Sequence, residues 1–243
     1  MREIIVPLDN RSYSIYVGAG ILDQLGSLVE QVVSTSNYFF VIDQAIEQTH
    51  AAEAMKTFAR ANSISIEAKE SNKTIETVQQ IWSSMLASDC DRTSLCLAVG
   101  GGIVGDVGGF AAATYMRGLP LVQVPTTLLA MVDASIGGKT GVNLPIKRGT
   151  SETVLGKNLA GSFWQPSLVV ADVDVLRTLD DREFRCGLAE CVKHAMLGHE
   201  PLLQWLEQQG EAIFNRDPNT LIELVSRCAE IKAGIVAEDE REG

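Results

Sequence analysis

The stretch CGLAECVKHAMLGHE, residues 186–200, brings an acid, an ammonium and an imidazole into one short helical pattern. Glu190 and His194 are four residues apart, so a helix sets them on one face, near enough to share a cation. Lys193, three residues after Glu190, can equally form an ordinary helix ion pair with it. The segment reads as a metal site, as part of one, or as a solvated helix face. Two of the chain's three histidines lie here. His199 follows Gly198 and precedes Pro201, which places it on a loop.

A second group gathers around Gly100, Gly102 and Gly105, a G-x-G-x-x-G between an apolar run and a helical pattern. Glycines allow a pyrophosphate to approach the backbone, and a helix N-terminus favours its charge. The alternative is that these glycines only permit tight strand–helix packing. The acid that usually follows about 20 residues later is missing; Asp106 comes too early, and Asp43, closing YFFVID, is the better ribose candidate. Downstream, YMRG offers Arg117, VDASIGGKTGVN offers Asp133, Lys139 and Asn143, and LGKN offers Lys157 and Asn158. Cations beside glycine-rich turns suit a phosphate or carboxylate.

These groups must be positioned by the elements between them. MREIIVPL and SYSIYVG read as β segments joined by DNR, GILDQLGSLVEQVV as a helix, and YFFVID (38–43) and SLCLAV (94–99) as buried strands. A helix is expected from Thr74 to Leu86, burying Ile75, Val78, Ile81, Trp82, Met85 and Leu86. LVQVP and SLVVADV complete an alternation that signals an α/β fold with a mostly parallel sheet. Near residue 180 the pattern turns helical: Asp180 caps a helix over 181–197, with Glu183 as its capping-box partner. Further helices follow Pro201 (about 201–214) and Pro218 (about 218–238). The expected division is 1–180 and 181–243.

With 20 basic against 31 acidic residues the net charge is −11, which argues against general nucleic-acid or anionic-membrane binding. No apolar run reaches membrane-spanning length, and the N-terminus has no signal-peptide core. The five cysteines are odd in number and lack C-x-x-C spacing, so reduced thiols in a cytoplasmic protein are expected.

GGGIVGDVGGFAAATYMRG, QVPTTLLAMVDASIGGKTGVNLP, LGKNLAGSFWQP and REFRCGLAECVKHAML closely resemble the 3-dehydroquinate synthase family, over essentially the whole chain. The resemblance implies a Rossmann-like NAD-binding domain (1–180), an all-α metal and substrate domain (181–243), and a cleft between them. It implies NAD and a divalent metal, zinc or cobalt, as cofactors, and a homodimer. The implied reaction belongs to the shikimate pathway of aromatic amino acid biosynthesis. It converts the seven-carbon sugar acid phosphate DAHP to 3-dehydroquinate and phosphate, through transient oxidation by NAD, phosphate elimination and an intramolecular aldol closure.

By motif, Asp43, Glu70 and Lys73 are implied at the adenosine side of NAD. Gly101, Gly102, Ile103 and Asp106 are implied at its pyrophosphate and ribose, with Thr126, Thr127 and Thr178 also on the cofactor. Lys139 and Lys157 fall at the cofactor–substrate junction, and Asp133, Asn158, Lys193 and Lys232 at the substrate. Arg117 resembles the arginine that reaches a neighbouring subunit's substrate phosphate, and Glu190 the metal-binding glutamate.

Three departures stand out. Ala45 replaces an asparagine that contacts the cofactor, and IKRGTSETV (146–154) is inserted between GVNLP and LGKN as a polar, loop-like segment. It is either a surface bulge or a distortion of the Lys157–Asn158 pair. The family's two metal-binding histidines follow the motif matching IVAEDEREG, in which this chain stops at Gly243. The chain therefore reads as a truncated synthase with an incomplete metal site, no phosphate release of its own, and apolar faces of 201–238 left exposed. His194 is expected to be partly exposed and structural. Other readings are a valiolone-type or deoxy-inosose-type cyclase, a glycerol-dehydrogenase-like enzyme, and a non-catalytic NAD-binding remnant.

Overall fold

Residues 1–148, 152–197 and 200–241 are described by the computed structural model. Among them the strands are β1 (Arg2–Val6), β2 (Tyr13–Gly18), β3 (Tyr38–Asp43), β4 (Ala61–Ile66), β5 (Leu95–Gly100), β6 (Leu121–Pro125), β7 (Lys139–Arg148), β8 (Glu152–Phe163) and β9 (Leu168–Asp172). The α-helices are α1 (Leu25–Glu30), α2 (Ala52–Lys56), α3 (Ile75–Ala87), α4 (Gly102–Thr114), α5 (Asp181–Met196), α6 (Glu200–Phe214) and α7 (Pro218–Glu238). Seven strands form one sheet in the order β1-β2-β9-β6-β5-β3-β4. Only β1 runs antiparallel to its neighbour; the other pairings are parallel. Every residue of β5, β6 and β9 is buried, as continuous apolar strands covered on both faces must be. β1 instead alternates, turning Ile4 and Val6 inward.

The capped and punctuated segments match their reading from sequence. Thr74 caps α3 by accepting from the Thr77 N–H, and Val78, Ile81 and Met85 are buried. Leu86, expected in that stripe, is 67% exposed: it lies about 100° round the helix from the fully buried Met85 and so faces away from the core. Asp180 caps α5 through the Arg182 N–H, and Asp217 caps α7 through Thr220, with Pro218 in the first turn. The apolar faces expected to be exposed over 201–238 are largely covered. α7 lies against β1 and β2 and buries Leu221, Leu224, Val225, Cys228, Ala229 and Val236 in the same cluster as Ile4, Val6 and Ile15. Phe214 is the exception, at 61% exposure.

The described residues of the inserted segment are strand rather than loop. β7 and β8 pair antiparallel as a separate hairpin out to Arg148↔Glu152, beyond which residues 149–151 lie outside the description. Two extra residues enter β8 between Val142↔Ala160 and Leu144↔Gly156, so Asn143 faces Lys157, Asn158 and Leu159 together. Asn158 takes a left-handed conformation (φ 55°) in this bulge.

Candidate active site

β5 and β6 are neighbours in register at Gly100↔Pro125, so their following turns leave the same sheet edge. The Thr126 N–H donates to the Gly100 carbonyl across this edge. Gly101 is the N-cap of α4 in an extended conformation, and no side chain caps the helix. The first N–H groups of a 13-residue helix thus have no side-chain acceptor, which suits an anion such as a pyrophosphate. Close packing surrounds the turn: a Cβ built on Gly101 would lie 3.1 Å from Thr127 Cγ2, and one on Gly102 would lie 3.3 Å from Ala134 Cβ. Asp43 ends β3 at the same edge and accepts from the Ala45 N–H at 3.0 Å. Ala45 thus still serves this turn through its backbone. Burial pushes the Asp43 carboxyl up.

The hairpin is clasped to this edge by polar contacts. Lys73, 5% exposed, donates its ammonium to Asp106 and to Asn158 Oδ1, the latter at 2.5 Å. Asp106 is pushed up to about 6, chiefly by burial, while Lys73 draws it down and Glu70 and Asp133 raise it further. Buried Asn143 donates through Nδ2 to Glu70 Oε1 (2.7 Å), accepts at Oδ1 from the Asn158 N–H (2.9 Å), and donates its own N–H to the Lys73 carbonyl (2.8 Å). Glu70 is held below the usual carboxylate range, first by that bond from Asn143. Lys157 stands 3.5 Å from Glu70 and is mostly exposed. Beside the clasp lies a cavity of about 350 Å³ lined by Asp106, Lys139, Thr140, Asn158 and Phe163.

Residues assigned from sequence to the cofactor (Lys73, Asp106) and to the substrate (Asn158) therefore meet directly. Lys73, implied at the adenosine side with Asp43 and Glu70, donates its ammonium to Asp106 and Asn158. Asn143 carries more contacts to the site than its place among the candidates suggested.

Asp133 lies on a wide helical turn, Ala130–Ala134, that follows β6. The Thr127 hydroxyl accepts from the Ala130 N–H at 3.2 Å and fixes the entry to that turn. Against it packs the middle of α5. A Cβ on Gly187 would lie 2.5 Å from Leu128 Cβ and 2.7 Å from the Leu129 backbone nitrogen, so only glycine allows this approach. The approach brings Glu190 beside Asp133. Lys232, from α7, stands 3.0 Å from Asp133 Oδ1, and Lys193 stands 2.5 Å from Glu190 Oε1. His194 Nε2 lies 3.4 Å from the same Glu190 oxygen. His194 is 2% exposed, against the expectation of partial exposure, because α6, α7 and the Ala130–Ala134 turn pack against α5. The Cys191 thiol, buried nearby, is pushed up by its hydrogen bond to Cys228 first and by burial second.

Ligand atoms of Asp133, Glu190 and His194 all lie within 4.8 Å of one another, a nitrogen and oxygen donor set that fits zinc or cobalt. The remaining sequence candidates are more dispersed. Thr178 is engaged by His50 Nε2 at 2.7 Å. Arg117 is exposed in a turn where it and Met116 have positive φ (71° and 48°). Thr126 is buried, Ile103 is half-buried in α4, and Lys139 is exposed at the start of β7. His199 lies outside the described residues.

Comparison with known proteins fits this geometry. Residues 63–186 match the model of the 3-dehydroquinate synthase N-terminal family, and residues 187–243 that of the 3-dehydroquinate synthase C-terminal family. The 3-dehydroquinate synthase of Symbiobacterium thermophilum is 44% identical over 97% of this chain. The chain spans 64% of the length of that relative and 65% of the one from Halorhodospira halophila. Among solved structures, 2-deoxy-scyllo-inosose synthase complexed with carbaglucose-6-phosphate, NAD+ and Co2+ superposes with a TM-score of 0.83 at 27% identity, covering 99% of this chain and 64% of that one. The 2-epi-5-epi-valiolone synthase of Streptomyces hygroscopicus subsp. jinggangensis, with NAD+ and Zn2+ bound, gives 0.81 at 30% identity, covering 96% and 63%. The glycine turn, the hairpin clasp and the Asp133–Glu190 pairing sit on a chain that belongs to the 3-dehydroquinate synthase family.

Proposed function

We propose that this chain serves the reaction of a 3-dehydroquinate synthase, binding NAD, a divalent metal and DAHP in one site. The observation that carries this reading is the meeting of three elements at one sheet edge. These are an uncapped α4 N-terminus, the Lys73–Asp106–Asn158 clasp, and two carboxylates each paired to a lysine. NAD would supply reversible hydride acceptance, and the metal the Lewis acidity that acidifies a bound hydroxyl.

The protein residues divide the remaining work. Gly101, Gly102 and Ile103 present backbone N–H groups to the pyrophosphate, flanked by Thr126 and Thr127, with Asp43 and Glu70 toward the adenosine side. Asp106, half-protonated near pH 6, holds the ribose end and is kept in place by Lys73. Lys139 and Asn158 face the cavity between cofactor and substrate. Lys157 serves the same junction, and Thr178 borders the cofactor. Lys193 and Lys232 offer cations to a phosphorylated carboxylic acid, Glu190 holds the metal, and Asp133 orients Lys232. Residues 1–180 form the cofactor domain and 181–243 the metal and substrate domain. In a homodimer, Arg117 of one copy reaches the substrate phosphate of the other; its exposed, strained turn favours this role.

Substrate choice is tested by thermal shift. With NAD and Co2+ present, DAHP at about 100 times its Kd stabilises the protein by about 2.7 kcal/mol, roughly 5–11 °C. Glucose 6-phosphate should have no such effect. Equal or greater stabilisation by glucose 6-phosphate would move the assignment to a deoxy-inosose-type cyclase.

A further inference from the structure

Two connecting segments leave the carboxyl edge of the sheet on either side of the glycine turn and meet through one hydrogen bond. One follows β3 and carries His50; the other follows β9 and carries Thr178. β5 and β6 lie between those strands, a separation of three strand spacings, or about 14 Å. The segments close that gap where His50 Nε2 stands 2.7 Å from Thr178 Oγ1. Which group donates follows from a third partner. The Thr178 hydroxyl lies 3.0 Å from the Val175 carbonyl, and a carbonyl can only accept. The hydroxyl proton therefore points to Val175, and the His50 Nε2–H donates to Oγ1. One lone pair of Oγ1 remains. Thr178 is exposed and His50 half-buried, so a ligand can reach that lone pair.

We propose that His50 is a positioning residue for the cofactor: its bond to Thr178 holds Oγ1 as an acceptor for the exocyclic amine of adenine. This rests on the reading of Thr178 as bordering NAD and deepens it by assigning the base contact and the residue that sets it. An exposed threonine samples staggered rotamers, and its hydroxyl donates or accepts as the partner requires. Bonded to both Val175 and His50, Thr178 keeps one rotamer, with its proton turned inward and a lone pair outward. An amine finds its acceptor already in place, so less side-chain freedom is lost on binding. A carbonyl oxygen at the same position of the base, as in hypoxanthine, meets that lone pair and gains nothing unless the Val175 bond is broken. The neighbouring groups agree with an adenosine at this end. Asp43 heads the segment that carries His50 and is placed toward the ribose. The α4 N-terminus lies between the two segments, where the pyrophosphate would follow.

The experiment titrates NAD and its deamino analogue, which carries hypoxanthine in place of adenine, into the wild type, His50→Phe, His50→Gln and Thr178→Val by calorimetry. The wild type should bind NAD about 10-fold more tightly than deamino-NAD, as one matched hydrogen bond over a mismatched one provides. His50→Phe and Thr178→Val should each lose most of that ratio through weaker NAD binding, with deamino-NAD affinity within about twofold of wild type. Adding Thr178→Val to His50→Phe should change the ratio no further, because both act on one contact. His50→Gln, whose amide can donate to Oγ1, should recover the preference. His50 lies at the surface, and thermal melts check that each variant is folded. Equal affinity of the wild type for both dinucleotides would overturn the proposal. So would a His50→Phe variant that weakens both equally, since that marks a structural tie between the two segments. If a folded wild type binds neither dinucleotide, the reading of an NAD site falls, and this proposal with it.

Discussion

Replacing Lys73 with methionine removes the cation of the hairpin clasp while keeping most of the side-chain volume. Lys73 is buried, and its ammonium serves Asp106 and Asn158. Asp106 has a folded value of about 6, above its ordinary 3.8, so the folded chain holds its proton more tightly than the unfolded one. Ionisation of Asp106 therefore opposes folding, and wild-type stability falls as pH rises from about 4 through about 6. Lys73 limits that loss, because it is the largest influence drawing Asp106 down. Without it the folded value rises further, and the loss extends to higher pH at about 1.4 kcal/mol per unit. At pH 8 an unpaired buried carboxylate costs about 3–5 kcal/mol. At pH 5 Asp106 is mostly protonated in both proteins, and the difference shrinks to about 1 kcal/mol for the hydrogen bond to Asn158. Urea denaturation followed by tryptophan fluorescence at both pH values measures the two differences. Equal destabilisation at pH 5 and pH 8 would refute the claim that Lys73 acts by neutralising Asp106.

Three further outcomes follow from the same contacts. Gly187→Ala gains about 1 kcal/mol of helix propensity but meets Leu128 and the Leu129 backbone. Overpacking of about 1–3 kcal/mol outweighs that gain, so calorimetry should record a lower melting temperature together with weaker Co2+ binding. Asn143→Leu leaves the Asn158 N–H without its acceptor and releases Glu70, for a loss of about 2–4 kcal/mol in urea melts and a weaker calorimetric NAD affinity. Asp217→Ala removes the cap of α7 and should lower stability by about 1 kcal/mol, with NAD affinity unchanged.

The elements legible in the sequence are those whose signals are local. Asp180, Pro201 and Pro218 punctuate three helical patterns, and α5, α6 and α7 begin and end within about two residues of them. The run YFFVID becomes β3 with the same bounds. β7 and β8 escaped notice because GVN and LGKN lack the alternation of a half-buried strand, and their pairing is set across the hairpin. The left-handed Asn158 follows from that pairing. Helical spacing put Glu190 and His194 on one face, but not under cover. That cover comes from Gly187 meeting Leu128 and from α7 lying across the sheet, contacts made by residues far apart in the chain. Lys73 is placed at the cofactor only by resemblance, and its partners Asp106 and Asn158 are brought to it by the fold.

The central claim, that α4 presents its N-terminus to NAD, is tested most directly by calorimetric titration of the wild type and Gly101→Asp. Gly101 already has N-cap geometry, so an aspartate there can accept from the first turn of α4 and keep the helix capped. It also places a carboxylate where the pyrophosphate would bind, with only a few tenths of an ångström to be yielded by Thr127. The account predicts one NAD bound per wild-type chain, and loss of that binding in a variant that melts no lower. Equal NAD binding by both proteins, or none by a folded wild type, would contradict it.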